Sequence, residues 1–144
     1  MYKFFAKKYY EPDLQLKFTN YLLKLANTSI DISDGLIDDL KKMINRQKLS
    51  FHIFEEKIPV SKTLNQLIKI KKFKKLNITT RGDDYQILFT ASRFKSRIIK
   101  KISKITGIKI TKIGKIISGK NRSKIINLKD KQIEAKNKGY IHQF

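Results

Sequence analysis

Asp31-Ile32-Ser33-Asp34-Gly35-Leu36, followed by Asp38-Asp39-Leu40, sets four carboxylates within nine positions of a chain that holds 33 basic residues against 12 acidic ones. Ile30 and Ile32 alternate with Asp31 and Ser33, the pattern of a short strand with two unlike faces. Asp34-Gly35 then turns into a stretch with Leu36, Ile37, Leu40, Met43 and Ile44 at helical spacing. Asp31 and Asp34 thus fall at a strand-to-helix junction, where two carboxylates can converge on a hard cation such as Mg²⁺. Helix capping is the alternative, with Ser33 or Asp34 as the cap and Asp38 and Asp39 favouring the positive helix end. Capping needs only one of these residues and leaves Asp31 unexplained. On chemistry alone both readings stay open.

Three other stretches invite the same question. Arg81-Gly82-Asp83-Asp84-Tyr85-Gln86 joins a glycine to acids ahead of an apolar strand. Read alone, it is a turn in which Gly82 supplies a positive φ. Gly107 and Gly114 precede Lys115, but they enclose six residues and Ile116 follows the lysine, so the phosphate-binding loop motif is absent. The chain ends Gly139-Tyr140-Ile141-His142-Gln143-Phe144. Such an aromatic tail suits core packing or disorder, although Tyr140 could stack on a ring.

The elements that must position these residues alternate along the chain. Tyr2 to Pro12 is aromatic and basic, and Pro12-Asp13 opens a helix with Leu14, Leu16, Phe18, Tyr21, Leu22 and Leu25 on its apolar face. A strand is expected over Thr28 to Ile32, a helix over Gly35 to Gln47 and a strand around Phe51 to Phe54. Ile58-Pro59-Val60-Ser61 is a loop whose serine caps a helix from Lys62 to Lys72. Asn77 to Asp83 reads as a polar turn before a strand from Tyr85 to Thr90. Ser92 caps a helix through Lys104 that Gly107 stops. Ile108, Ile110, Ile113, Ile116 and Ile117 read as one or two strands around Gly114, with a turn at Gly119-Lys120-Asn121. Ile125, Ile126 and Leu128 form a weak last strand. This alternation argues for an α/β or α+β sandwich, a mixed sheet covered by helices.

The bulk composition narrows the class. At 144 residues, 40% hydrophobic and 31% charged, the chain is read as one domain with a real core. The lack of cysteine excludes a disulfide framework and a thiolate metal site. His52 and His142 are too far apart to make a local metal motif. No apolar run reaches the ~18 residues of a membrane span and no signal peptide is evident, so a cytoplasmic, membrane-free protein is the expectation. The formal charge of +21 suggests polyanions. Yet 28 of the 33 basic residues are lysine, dispersed among many isoleucines and asparagines. Codon bias toward A and T produces that balance without selection for binding, and arginine, the residue of bidentate phosphate and base recognition, is scarce. Weak, non-specific polyanion binding at low salt is what the charge implies.

Together the acidic junction, the second glycine-acid cluster and the tail resemble one family, the thiamine-monophosphate kinases, in their carboxy-terminal domain. The family pattern reads Ile-Asp-x-Ser-Asp-Gly-Leu-x-x-Asp-Leu, then an Ile-Pro loop, then Gly-Gly-Glu-Asp-Tyr-Glu-Leu-x-Phe-Thr, Ile-Gly and a final Gly-Tyr-x-His-Phe. This chain has Ile30 to Leu40 intact, Ile58-Pro59, a degraded Arg81 to Thr90, Ile113-Gly114, and Gly139 to His142 with Gln143 inserted before Phe144. The resemblance implies the α/β sandwich shared with aminoimidazole-ribonucleotide synthetase. It implies transfer of the terminal phosphoryl of ATP to thiamine monophosphate, giving thiamine diphosphate. By the same resemblance Asp31 and Asp34 would bind Mg²⁺, Ser33 would contact ATP, and Asp83 and Tyr140 would meet the thiamine substrate. Phosphoryl transfer depends on positioning and charge neutralisation, so metal-holding carboxylates are expected of it.

Three positions depart from the pattern: Arg81 stands for glycine, Asp83 for glutamate and Gln86 for a second glutamate. Residues 1–144 would correspond to the carboxy-terminal domain alone, with about half a site. The isolated chain is then expected to be inactive without an amino-terminal kinase domain, which could be separately encoded. The competing expectations are a folded, non-catalytic remnant of the kinase and a basic RNA-binding module.

Overall fold

The computed structural model describes residues 2–45 and 47–134. Helices α1 (Tyr2–Tyr10) and α2 (Leu16–Leu25) lead into strand β1 (Thr28–Asp31), helix α3 (Leu36–Met43) and strand β2 (Leu49–Phe54). A 3₁₀ turn at Glu55–Lys57, helices α4 (Lys62–Lys71) and α5 (Lys75–Thr79), and strand β3 (Ile87–Thr90) follow. A second 3₁₀ turn (Arg93–Lys95) runs into helix α6 (Ser96–Thr106), and strands β4 (Gly114–Ser118), β5 (Lys124–Ile126) and β6 (Gln132–Ile133) complete the order.

The mixed sheet covered by helices is present, but the strands divide between two sheets. β1 and β3 form an antiparallel ribbon in which Thr28 faces Thr90 and Asp31 faces Ile87. The other four strands lie in the order β4-β2-β5-β6. β2 runs antiparallel to β4 and parallel to β5, which pairs antiparallel with β6.

Alternation along the strands decides what each face covers. Leu36, Ile37, Leu40 and Met43 form the apolar stripe of α3 and join Phe51, Ile53 and Ile125 of the larger sheet in one buried cluster, with Leu88 and Ile32 of the ribbon side. The next residues along β3, Ile87 and Phe89, project into a second cluster built on Phe18, Leu25 and Ile102 from α2 and α6. The Phe18 and Phe89 rings lie 5.4 Å apart between centroids. The ribbon is thereby covered on both faces, each fully buried aliphatic or aromatic side chain contributing roughly 1.5–3 kcal/mol. Its β1 end opens onto the acidic loop.

Several expected boundaries shift. Asn77 to Asp83 is not simply a turn, because α5 occupies Lys75–Thr79 and buries Leu76, Thr79 and Thr80. β3 begins at Ile87 rather than Tyr85, since Tyr85 has a φ of 48° that no strand residue adopts. Residues 108–113 lie outside any strand, although the Phe54 amide donates to the Ile113 carbonyl at 2.9 Å. Ser61 caps α4, its hydroxyl accepting from the Leu64 amide at 3.1 Å. Ser92 caps the 3₁₀ turn that precedes α6, accepting from the Phe94 amide. Gly107 ends that helix in the left-handed conformation.

Candidate active site at the end of the β1–β3 ribbon

β1 stops at Asp31, and the next residues make a loop whose shape is fixed by Asp39. That side chain is 1% exposed. Its Oδ2 accepts the backbone amides of Ser33 and Asp34 at 2.9 Å each and of Gly35 at 3.1 Å. Neither Ser33 nor Asp34 caps α3 as the capping alternative expects. Gly35 occupies the cap position without a side chain, and Asp39 reaches back from the first turn to satisfy the loop amides. Sequence reasoning treated Asp39 as one more acid near a helix end. The available signal was its place on the apolar stripe of α3, where an acid is buried only if it is fully hydrogen-bonded.

A second loop closes against the first. The Tyr85 amide donates to the Ile32 carbonyl and the Ile32 amide to the Gln86 carbonyl, both at 2.9 Å, which prolongs the ribbon ladder by one pair. The Asp83 amide then donates to the Ser33 carbonyl at 2.9 Å. Gly82, Asp83 and Tyr85 all have positive φ, at 90°, 58° and 48°. The two non-glycine residues cost roughly 1–3 kcal/mol each in that conformation. Such cost is tolerated where surrounding structure fixes the backbone, and here the Ser33 and Ile32 hydrogen bonds do so.

Negative charge gathers on this edge. Asp31 and Asp83 are exposed, and the Tyr85 hydroxyl donates to Asp83 Oδ1 at 3.4 Å. The charge of Asp83 first, and that of Asp31 among the others, holds the Tyr85 hydroxyl above its ordinary titration range. Asp84 is exposed as well, yet crowding by nearby protein, with Asp83 adding repulsion, pushes its carboxyl up to about 6. Asp34 is mostly covered and receives the ammonium of Lys42, which also reaches Asp39 Oδ1 at 3.2 Å. The Asp34 bond is the main cause that raises Lys42 above its usual value. Asp38 points away and pairs with Lys41 at 2.9 Å.

The structure therefore brings Ser33, Asp34 and Asp83 to one place at the end of β1, with Asp31 beside them. Tyr140 lies outside the described residues. Asp31 and Asp34 offer hard oxygen donors of the kind a Mg²⁺ ion takes when it keeps several waters and binds substrate phosphate. Asp31 is exposed and Asp34 is engaged by Lys42, so the loop offers two carboxylates to such an ion. Among the described residues no group of three or more histidine, cysteine or acidic side chains forms a fuller metal cage. Arg81 is exposed, its amide donating to the Ile78 carbonyl at 3.1 Å, so the close backbone approach falls on Gly82 instead. A shallow groove of about 470 Å³ between Lys41, Ile44, Leu49, Lys120 and Asn121 contains none of these residues. No described helix is long and apolar enough to cross a membrane.

Comparison with known proteins gives the family of the chain. No protein-family model matches the chain. A thiamine-monophosphate kinase from Buchnera aphidicola subsp. Schizaphis graminum is 32% identical over 139 residues, 96% of this chain and 42% of that protein. The crystal structure of the thiamine monophosphate kinase from Aquifex aeolicus superposes with a TM-score of 0.70 at 25% identity, covering 90% of this chain and 40% of that one. The structure of AaThiL complexed with AMPPCP and TMP superposes with a TM-score of 0.70 at 24% identity, over 94% of this chain and 40% of its own. The chain thus spans about two fifths of the length of the relatives it matches. It belongs to the thiamine-monophosphate kinase family, to whose carboxy-terminal region it corresponds.

Proposed function

We propose that this chain is the carboxy-terminal domain of a cytoplasmic kinase that transfers the terminal phosphoryl of ATP to thiamine monophosphate, giving thiamine diphosphate. The observation that supports this best is the Asp83-to-Ser33 hydrogen bond, which joins the acidic loop after β1 to the glycine-acid loop before β3. In this reading Asp31 and Asp34 hold Mg²⁺, Ser33 meets ATP, and Asp83 and Tyr140 meet the thiamine substrate. A bound Mg²⁺ neutralises phosphate charge that develops during transfer. The chain's own part is geometric. Asp39 fixes the turn that carries Ser33 and Asp34, and the Gly82 loop sets Asp83 beside it. AMPPCP and TMP together in a structure of the same fold support a site for a nucleotide and a second ligand. An amino-terminal domain supplied by the same or a separate polypeptide completes the site.

Titration calorimetry of the chain with ATP and with thiamine monophosphate, with and without Mg²⁺, tests this. Mg²⁺-dependent binding that is lost in Asp31→Asn and in Asp34→Asn is expected. Binding that ignores Mg²⁺, or that survives both substitutions, overturns the site. Production of thiamine diphosphate on mixing the chain with an amino-terminal kinase domain tests the activity.

The remnant reading drew on Arg81 as a bulky intrusion. Arg81 is exposed, and the close backbone approach in this loop is made by Gly82.

A further inference from the structure

We propose that the outer face of the four-stranded sheet binds single-stranded RNA, with Lys115, His52 and Lys124 meeting its phosphates and Phe54 stacking on a base. The face lies apart from the acidic loops, which belong to the β1–β3 ribbon, and nothing in it depends on the kinase reading.

Register assigns the residues. Strand side chains alternate between faces, and directly paired residues share one. Phe51, Ile53, Ile116 and Ile125 lie in or against the buried cluster that includes α3, so they mark the inner face. The alternate residues point outward. His52 pairs with Lys115 of β4 on one side and with Lys124 of β5 on the other. Further along the same face Phe54 pairs with Ile126, which pairs with Gln132 of β6. None of these outward residues joins either core cluster, and Lys115, Lys124 and Gln132 are exposed.

The face thus sets a row of nitrogen donors beside an apolar row. Lys115 and Lys124 stand two strand spacings apart, ~9.5 Å, with the imidazole between them. No acid lies within β2, β4, β5 or β6. Among the described residues no ion pair involves Lys115 or Lys124, whereas Lys41 and Lys42 on α3 are both paired. Repulsion between such ammonium groups is relieved when phosphate comes between them. Codon bias sets how many lysines the chain holds, not which of them share a row. Phe54 supplies what a bare phosphate seat lacks. Its ring is half-buried, and the Lys57 ammonium lies 4.2 Å from its centroid, so aromatic and cation stand together at the end of β2. Bases stacked on aromatic rings along a cationic groove are the general way proteins hold single strands, without regard to sequence.

Fluorescence anisotropy of the full chain with a labelled oligouridylate tests the assignment. Lys115→Gln combined with Lys124→Gln is expected to weaken binding about tenfold or more. It should also lower the salt slope by about 1.4, for two single-strand phosphate contacts at about 0.7 each. Lys100→Gln combined with Lys104→Gln removes the same charge from exposed positions on α6 and should change affinity by less than about threefold. Equal losses from the two pairs overturn the proposal, because the affinity then belongs to the net charge of the whole chain. Phe54→Leu is expected to lose about fivefold or more against oligouridylate and nothing against inorganic polyphosphate, which has no bases. Unchanged binding of oligouridylate by Phe54→Leu overturns the RNA assignment in favour of a seat for any polyanion. Should that variant fold poorly, the unaltered chain still decides: the amide resonances of His52, Phe54, Lys115 and Lys124 should shift on titration with oligouridylate. Shifts confined to other elements rule this face out.

Discussion

Gly82 lies so close to Ser33 that a methyl group on its Cα would come within 2.3 Å of the Ser33 carbonyl oxygen. Gly35 stands in the same relation to Thr80, at 2.4 Å from that carbonyl oxygen. The two loops of the candidate site thus cross backbone against backbone at two points. Because the neighbour is main chain at both, it cannot step aside.

Gly82→Ala should destabilise the fold by about 2–4 kcal/mol, combining a left-handed φ with a collision that must push the loops apart. Gly107→Ala provides the contrast. Gly107 also has positive φ, but nothing lies within 4 Å of the added methyl, so about 1 kcal/mol is expected. Urea midpoints compare the two. A Gly82→Ala protein as stable as Gly107→Ala would show that the loops separate freely.

Asp39→Ala removes the acceptor of three loop amides at a buried position, and a loss of about 2–4 kcal/mol should follow. The amides of Ser33, Asp34 and Gly35 should also exchange with solvent much faster. Asp38→Ala, which breaks only the partly exposed pair with Lys41, should change stability by less than about 1 kcal/mol. Hydrogen exchange that leaves residues 33–35 protected in Asp39→Ala would assign the loop's shape to something else.

Asp84 gives a pH dependence of defined sign. Its folded-state value of about 6 exceeds the ordinary 3.8, so between those values the folded chain binds the proton more strongly than the unfolded one. The stability this contributes is complete below about pH 4 and is lost as pH rises through about 6. Asp84→Asn should flatten that part of the profile and be the more stable protein at pH 7. Midpoints measured from pH 4 to 7 that run parallel for both proteins would contradict it.

The charge of +21 predicts binding to heparin or RNA that weakens at least tenfold between 50 and 200 mM salt. Asp31→Asn should leave it unchanged, since the acidic loop takes no part. Filter binding across a salt series decides. An affinity that resists salt and discriminates among RNA sequences would favour the RNA-binding reading.

Much of this architecture is legible in residue order, because period and punctuation act locally. The stripe of α3, the Ser61 cap and the Gly107 stop each follow from a few neighbouring residues. What escaped depended on distant partners. The Asn77-Ile78-Thr79-Thr80 stretch looks polar, yet Leu76 is a core residue and the Thr80 hydroxyl donates to the Leu76 carbonyl at 3.0 Å, so a short helix is buried there. Tyr85 and Gln86 look like strand and do hydrogen-bond Ile32, but the positive φ of Tyr85 keeps the regular strand from starting before Ile87. In the candidate site, the motif singles out Asp31, Ser33, Asp34 and Asp83, which lie on two loops that the Asp83-to-Ser33 hydrogen bond joins. That Asp39 holds the loop together needed its three amide contacts, which no linear spacing announces.

The parallel pairing of β2 with β5 also constrains when the chain can fold during synthesis. On that flank His52 faces Lys124, and Ile53 and Phe54 face Ile125 and Ile126. Until those residues leave the ribosome, one flank of β2 is a bare edge with Phe51 and Ile53 beside it. Nascent chains stalled before Lys124 should therefore collect on chaperones, and the sheet's centre should close only as the last strands emerge.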